Sequence, residues 1–263
     1  MAGTSVRETR APQTFGTIIV VGGGCYGGYY VRQLRRAAEA DAIRAERVIV
    51  VDRDPSCAVA GDLGQPSAAR VQLVVREWRE FFEEYLSKAS IDPEPTANDA
   101  IVPSPLMPHL MGEWLVGRAR RRFADRVSTR PFDAVPDVPW ERAGDDGTHY
   151  VSFATWMCPI NCVEPRTCPH TKGERTWSMP QRVAEHAASR PSSRGPTESA
   201  VLFCRHRAYG VGMFDTREVL DAERKISAAG IDGAADVIIG TVSHCHGALT
   251  RLLIAADGTV DST

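Results

Sequence analysis

The most unusual stretch of the sequence is a cysteine-rich segment, residues 158–170. Three thiols, those of Cys158, Cys162 and Cys168, fall within eleven residues, and His170 follows them. Thiolates that are gathered together repel one another and lose hydration, so a buried cluster of them is typical of a site that holds a cation. The stretch therefore predicts a metal centre ligated by Cys158, Cys162 and Cys168.

The spacing of these cysteines does not identify the metal. C-x3-C-x5-C-x-H is neither the C-x2-C pair of a zinc ribbon nor the C-x2-C-x2-C run of a bacterial ferredoxin. The prolines that follow two of the cysteines favour a rigid loop, which suits a [4Fe–4S] cluster better than zinc. Unliganded thiols, or a redox disulfide between Cys158 and Cys162, are the remaining alternatives.

A metal centre of this kind needs a fourth ligand. Cys245 stands in the segment Ser-His-Cys-His-Gly, directly after an apolar run that predicts a strand, and we expect it to complete the set. Cys204 is the rival, although a cysteine in an alternating strand is also a small buried side chain. A histidine is the third alternative.

A second motif lies near the beginning of the sequence. Residues 22–27 read Gly-Gly-Gly-Cys-Tyr-Gly and match G-x-G-x-x-G between an apolar run and an amphipathic segment. In this context Gly22 permits a tight turn, Gly24 lets the backbone approach a pyrophosphate, and Gly27 lets the helix pack closely on the strand. We expect the loop, with Cys25 and Tyr26 in it, to hold a dinucleotide at the helix N-terminus.

An acidic residue stands where such a cofactor requires one. Asp52 ends the second apolar run, where a carboxylate accepts hydrogen bonds from ribose hydroxyls, which favours NAD. Arg53 follows and is able to pair with the 2′-phosphate of NADP. A glycine loop followed by an acid also serves S-adenosylmethionine in methyltransferases, so that cofactor stays an alternative.

These residues carry a family resemblance. Residues 17–28, Thr-Ile-Ile-Val-Val-Gly-Gly-Gly-Cys-Tyr-Gly-Gly, and residues 48–55, Val-Ile-Val-Val-Asp-Arg-Asp-Pro, resemble the NAD-binding Rossmann domains of potassium-uptake regulators of the TrkA-N type. They are similar, too, to the dehydrogenase domain of sirohaem synthases. The resemblance implies a bound NAD(H), with Gly22, Gly24 and Gly27 at the pyrophosphate and Asp52 at the ribose. It covers the first half only, and the cysteine region departs from both families.

The elements that must position these motifs divide the chain in two. Apolar runs at 17–24, 48–52, 71–75 and 100–102 alternate with helical patterns, which predicts an α/β fold with a Rossmann-like parallel sheet. A proline- and turn-rich stretch from residue 131 to residue 147 predicts a boundary. We expect a flexible tail over 1–14, a dinucleotide-binding domain over 15–135, and a smaller α+β Cys/His-rich metal-binding domain over 136–263.

Charge and composition limit the partners. The chain of 263 residues has 31 basic and 33 acidic side chains, a formal net charge of −2, so no overall positive field favours nucleic acid. No apolar run approaches the length of a membrane span, and residues 1–13 lack the apolar core of a signal peptide. We expect a cytoplasmic homodimer that acts on a small molecule, with a redox or metal-receiving protein as a further partner.

Three histidines are candidate catalytic groups. His109 follows the fourth predicted strand, where it would line the crevice at the carboxyl ends of a parallel sheet. His244 and His246 flank Cys245 and would act as acid–base groups or ligands near a metal. The sequence thus predicts an NAD(H)-dependent oxidoreductase with a Cys-ligated metal centre near the nicotinamide. A redox-sensing regulatory module that performs no turnover and a protein of metal or tetrapyrrole cofactor assembly are the alternatives.

Overall fold

A computed structural model describes residues 11–64, 70–190 and 197–257. Most of the predicted tail, residues 1–10, lies outside the described residues, and the first strand begins at Gln13. The described residues form two sheets of mixed strand direction with helices packed on them. The predicted α/β class is confirmed at this level.

The first sheet contains the strands of the N-terminal half. Its order is β3-β2-β1-β4-β10-β9, and β3, β2, β1 and β4 run parallel. The apolar β-branched runs form these strands because side chains cover both faces of the sheet. The strands are β1 (Gln13–Val21), β2 (Ile43–Asp52), β3 (Val71–Val75) and β4 (Ala100–Val102), and the helices that follow β1, β3 and β4 are α1 (Cys25–Glu39), α2 (Trp78–Ile91) and α3 (Leu110–Phe123).

Two later strands extend this sheet and make it mixed. β10 (Val211–Asp215) pairs antiparallel with β4, and β9 (Arg205–Ala208) pairs antiparallel with β10. Both strands are short, and only β9, which reads Arg-His-Arg-Ala, is polar, while β10 reads Val-Gly-Met-Phe-Asp; neither was predicted from the sequence. Although they follow the predicted boundary at residues 135 and 136, they belong to the sheet that precedes it.

The second sheet has the order β6-β7-β12-β11-β8, and β5 pairs with β12. Only β8 and β11 run parallel, so their carboxyl ends lie at the same edge. The strands are β5 (Val127–Arg130), β6 (Trp140–Ala143), β7 (His149–Ser152), β8 (Thr197–Phe203), β11 (Ala235–Val242) and β12 (His246–Ile254), and the helices are α4 (Met179–Ser189) and α5 (Thr216–Ile231).

The buried side chains arrange these elements in layers. One core joins a face of the first sheet to a face of the second through α2, α3 and α5, with Ile101, Trp114 and Val237 among its members. The opposite face of the first sheet packs on α1 through Val20 and Leu34, and that of the second sheet packs on α4. The central helices thus hold the two sheets together over one continuous core.

Candidate functional site

The glycine turn, residues 22–27, connects β1 to α1. Gly22 has φ +88°, a left-handed conformation that a side chain disfavours. A Cβ on Gly27 would stand 1.8 Å from the Gly22 carbonyl oxygen, so only glycine fits there, whereas a Cβ on Gly24 would meet no atom within 4 Å. The backbone at Gly24 is therefore open to a ligand.

The acidic residue at the end of β2 is bonded to this turn. Asp52 Oδ2 accepts a 2.6 Å hydrogen bond from the Gly23 N–H, and Oδ1 accepts one from the Asp54 N–H. Arg53 is exposed and lies 3.6 Å from Glu77. Cys25 and Tyr26 are exposed at the start of α1. The predicted cofactor-binding residues thus share one edge of the first sheet.

A second feature at this edge is a cavity of about 310 Å³, which we call the thiol cavity. Its wall contains four of the seven cysteines, together with two histidines and a glutamate. Among the described residues that line it there is no lysine or arginine. The titratable or thiol side chains of its wall are Tyr30, Cys158, Cys162, Glu164, Cys204, His206, Cys245 and His246.

The thiol cavity adjoins the glycine turn. Tyr30 of α1 and Ser104, which follows β4, both line the cavity. The Ser104 hydroxyl oxygen lies 4.0 Å from the position that a Cβ would take on Gly22. Cys204 and Ser243 follow β8 and β11 of the second sheet. The carboxyl ends of parallel strands from both sheets therefore meet around one cavity.

Glu164 joins the cysteine loop to the turn that carries Cys245. Its Oε1 accepts hydrogen bonds from the Ser243 hydroxyl at 2.6 Å and the Cys245 N–H at 3.1 Å, and its Oε2 accepts one from the His244 N–H at 3.0 Å. His206 Nδ1 lies 3.5 Å from Oε2, which is an ion-pair distance when the ring is protonated, but it makes no hydrogen bond with the described residues. Glu164 also has φ +48°.

The groups around the Glu164 carboxylate keep it ionised. Burial by itself would raise the pKa of this carboxyl group, but His206, the Ser243 hydroxyl and the His244 N–H together lower it to about 2. The side chain is only 6% exposed. The thiol cavity therefore carries a fixed negative charge at neutral pH, and no lysine or arginine is among the described residues of its wall.

Three of the thiols in the cavity wall, those of Cys158, Cys204 and Cys245, are held in the protonated form. Burial raises the pKa of Cys204 to about 12 and that of Cys245 to about 12, and it raises the pKa of Cys158 as well. The Trp177 indole N–H donates to Cys245 Sγ at 3.3 Å, which opposes the shift in part. Only a cation or an electrophile that enters the cavity would stabilise them as thiolates.

His246 is the predicted catalytic histidine that lines the cavity. Its Nδ1 lies 3.0 Å from the Ser152 hydroxyl. Much of the residue is open to solvent, yet the ring lies against the cavity wall, and this partial burial lowers the pKa of His246. A neutral imidazole at this place is able to accept a proton.

The other two predicted catalytic histidines lie outside the cavity wall. His109 is buried, its Nδ1 lies 3.1 Å from the Thr241 hydroxyl, and burial lowers its pKa to about 4. The His244 ring packs edge-on against Phe203, with centroids 4.8 Å apart, and burial lowers its pKa. The structure therefore does not bring the three histidines together.

Cys168, one of the four predicted metal ligands, also lies outside the cavity wall. It belongs to a turn in which its N–H donates to the Gly173 carbonyl and its own carbonyl accepts from the Lys172 N–H. Hydrogen bonding from Thr171 lowers the pKa of Cys168. His170, in the same turn, stacks on Trp156 with ring centroids 4.3 Å apart.

Among residues 11–64, 70–190 and 197–257, no group of three or more His, Cys, Asp or Glu side chains is already arranged to hold a metal ion. Cys158, Cys162 and Cys245 share the wall of one cavity but do not converge on a point. The metal centre stays a prediction.

The sequence reasoning missed Glu164, although it lies between Cys162 and Cys168. An acidic residue inside a cysteine loop was the available signal. It also missed Tyr30 and Ser104, whose place at the cavity depends on tertiary packing and left no pattern in the sequence.

A larger cavity, about 740 Å³, lies elsewhere, between α2 and α3. The described residues of its wall include no cysteine or histidine. Two of its arginines are already in ion pairs, Arg79 with Glu113 and Arg121 with Glu83, each at 2.8 Å. The thiol cavity is therefore the better candidate for chemistry.

Comparison with known proteins gives one match. The family model AF_1314_C, described as "Uncharacterized protein, C-terminal domain", matches residues 111–255, more than half of the chain. No curated protein and no solved structure matches it. Within the part of the chain that the structure describes, no helix has the length and apolar character needed to cross a membrane. The matched range contains every cysteine and histidine of the thiol cavity.

Proposed function

The chain belongs to the AF_1314_C family, whose matched range supplies the thiols and imidazoles of the cavity, and from this premise we propose that it is an NAD(H)-dependent oxidoreductase. The glycine turn binds the pyrophosphate of the dinucleotide, and the thiol cavity receives the nicotinamide end and the substrate.

The proposal depends on one observation, that the glycine turn and the thiol cavity lie close together, with Ser104 between them. Ligands of open α/β sheets bind outside the carboxyl ends of the strands, where the strand order reverses. In the order β3-β2-β1-β4 this point lies between β1 and β4. The glycine turn follows β1, and Ser104, which follows β4, lines the thiol cavity.

The arrangement of the first sheet supports a Rossmann-like interpretation of that half. β1, α1 and β2 form a β-α-β unit with parallel strands, and the glycine turn fits a pyrophosphate at the N-terminus of α1. Asp52 is placed beside Gly23, where a ribose would lie. The β-α-β unit, the glycine turn and Asp52 are also the features that resemble the NAD-binding domains of potassium-uptake regulators and sirohaem synthases.

The chemistry follows from the cavity wall. A bound nicotinamide supplies or accepts a hydride, and His246 is placed to accept or return the accompanying proton. With Glu164 ionised and no lysine or arginine in the wall, the cavity repels carboxylate and phosphate groups. The substrate is therefore a neutral or cationic small molecule.

The proposal retains a metal centre in the same cavity, an iron–sulfur cluster or zinc. The donors fit this group chemically, because Cys158, Cys162 and Cys245 are soft ligands in a wall whose described residues include no lysine or arginine. A metal there would polarise a substrate or fix its orientation.

Binding of NADH to the full-length protein tests the dinucleotide site. We expect Gly24→Val, which fills the open approach to the backbone, and Asp52→Ala each to weaken NADH binding at least about tenfold, the loss of roughly one good hydrogen bond or more. Asp92→Ala, which removes an exposed carboxylate at the end of α2, is the matched control and should bind normally. Unaltered binding in both site variants would overturn the proposal.

A further inference from the structure

Besides Cys158, Cys162 and Cys245, which were predicted as metal ligands, the wall of the thiol cavity contains Cys204. Cys204 lies between β8 and β9, outside the run from Cys158 to Cys168. We propose that Cys204, rather than Cys168, completes the thiolate set with Cys158, Cys162 and Cys245, and that this set binds one thiophilic divalent cation. The inference rests on the proposed function for the site, but it concerns the ligands alone.

The backbone ties Cys204 to the turn that carries Cys245. The Cys204 N–H donates to the Val242 carbonyl at 2.7 Å, and Val242 ends β11 three residues before Cys245. Because β8 and β11 are parallel neighbours, both cysteines follow strands that end at one edge of the second sheet. The structure therefore fixes the relative position of these two thiols.

Space is kept open beside the Cys204 thiol. A Cβ on Gly212, in β10, would stand 2.7 Å from Cys204 Sγ and 3.6 Å from His206 Nε2. Both Gly212 and His206 line the same cavity as Cys204. Glycine at this position thus leaves the room that the Cys204 sulfur occupies in the cavity wall.

The loop thiols are linked to the same turn through Glu164. The Glu164 N–H donates to Cys162 Sγ at 3.4 Å, and the Glu164 carboxylate accepts from the Cys245 N–H. Cys158 and Cys162 lie in a stretch without regular strands or helices. Rotation about χ1 moves a cysteine sulfur between staggered positions, so the loop thiols are able to turn inward on a cation that the fixed pair binds first.

Cys168 lacks the link to the second sheet. It is held in the turn of residues 167–174, where the Thr167–Glu174 bridge and the bonds to Lys172 and Gly173 close the backbone on itself. Although Cys168 is near enough to Cys158 to raise the pKa of that thiol, it does not line the cavity. The backbone of Cys168 is therefore bonded within its own turn, whereas that of Cys204 is bonded to the end of β11.

Cobalt(II) is the probe that distinguishes the two ligand sets. Full-length protein, reduced and freed of metal under anaerobic conditions, is titrated with Co²⁺, because the sulfur-to-cobalt charge-transfer absorption increases with each thiolate bound. We expect one Co²⁺ per chain and a tetrahedral spectrum. Cys204→Ser should lower the charge-transfer intensity by about one quarter, one of four thiolates, and weaken binding at least tenfold, roughly one ligand's contribution. Cys168→Ser should change neither.

The reverse result, loss in Cys168→Ser and none in Cys204→Ser, would overturn the proposal, and so would the absence of Co²⁺ binding by the wild-type protein. Cys57→Ser, a buried thiol beside the glycine turn, controls for the loss of any buried thiol. If Cys204→Ser fails to fold, protection of wild-type Cys204 from alkylation by Co²⁺ gives the answer without a variant, and an unprotected Cys204 would refute its role. NADH binding by the same samples reports separately on the proposed function.

Discussion

The carboxylate of Glu164 accepts a 2.6 Å hydrogen bond from the hydroxyl of Ser243, which lies 79 residues further along the chain. This bond, with those from the His244 and Cys245 N–H groups, fastens the cysteine loop to the end of β11. These bonds link the loop that carries Cys158 and Cys162 to the turn that carries Cys245. Glu164 is therefore a positioning residue for the whole thiol cavity.

Replacing this carboxylate should destabilise the protein. Glu164→Gln keeps the shape of the side chain but turns an amide NH₂ toward donors that now bond to a carboxylate oxygen. A hydrogen bond to a charged group contributes about 1–3 kcal/mol, so we expect the free energy of unfolding to fall by about that much at pH 7. Urea denaturation measures it. Glu174→Gln, an exposed partner of Arg166 in the same loop, is the control and should change it little.

The same variant has a defined pH dependence. The pKa of Glu164 is about 2 in the folded protein, below the value of about 4.3 for an unperturbed glutamate. Its stabilising effect is thus fully present above the unfolded value and is lost as the pH falls from about 4.3 toward 2. The difference in the free energy of unfolding between wild type and Glu164→Gln should become smaller over that pH interval. A difference that stays constant down to pH 2 would show that the charge is not what stabilises the loop.

Two glycines of the turn should differ sharply in their tolerance of a methyl group. Gly27→Ala places its Cβ against the Gly22 carbonyl oxygen, whereas Gly24→Ala places its Cβ in open space. Overpacking costs about 1–3 kcal/mol, so thermal unfolding should show a clearly lower Tm for Gly27→Ala. Gly24→Ala should lose at most about 1 kcal/mol, the cost of a poorer helix cap. Equal losses would contradict the close approach of α1 to the turn.

His109 should make the fold sensitive to mild acid. Burial lowers its pKa to about 4, below the ordinary value of about 6.5, so the folded state favours the neutral ring. Its stabilising effect is present above about pH 6.5 and is lost as the pH falls toward 4, at most roughly 3 kcal/mol. His109→Asn retains a nitrogen for Thr241 and cannot be protonated. Its free energy of unfolding should fall less than that of wild type between pH 6.5 and 4, and parallel curves would contradict this role.

The cysteines should differ in reactivity. Hydrogen bonding from Thr171 lowers the pKa of Cys168, while burial raises those of Cys158, Cys204 and Cys245. Because the thiolate is the nucleophile, iodoacetamide should modify Cys168 faster than these three in the metal-free native protein. Mass spectrometry of peptides after short exposure measures the order, and denatured protein provides the uniform control. Faster labelling of Cys245 would contradict the burial described for the thiol cavity.

Local features of the sequence predicted much of the first sheet. The apolar runs around Val20, Val50, Leu73 and Ile101 became β1 to β4, because a strand buried on both faces requires such a run. The glycine turn and Asp52 were predicted to lie near each other because they stand at the ends of two neighbouring parallel strands, β1 and β2. Short strands with few apolar residues, such as β9, gave no comparable signal, since their pairing depends on the partner strand rather than on their own composition.

The sequence by itself determined that this chain has an α/β fold, a glycine turn beside an acidic strand end, and cysteines numerous enough to ligate a metal. Only the tertiary structure decided which cysteines share a cavity. Cys168 is six residues from Cys162 in the sequence but is held in its own turn, whereas Cys204 reaches the cavity because β8 lies parallel to β11. Spacing along a loop cannot reveal this, because long-range pairing decides at which edge parallel strands end, and the shared edge of β8 and β11 brings Cys204 and Cys245 to the same cavity.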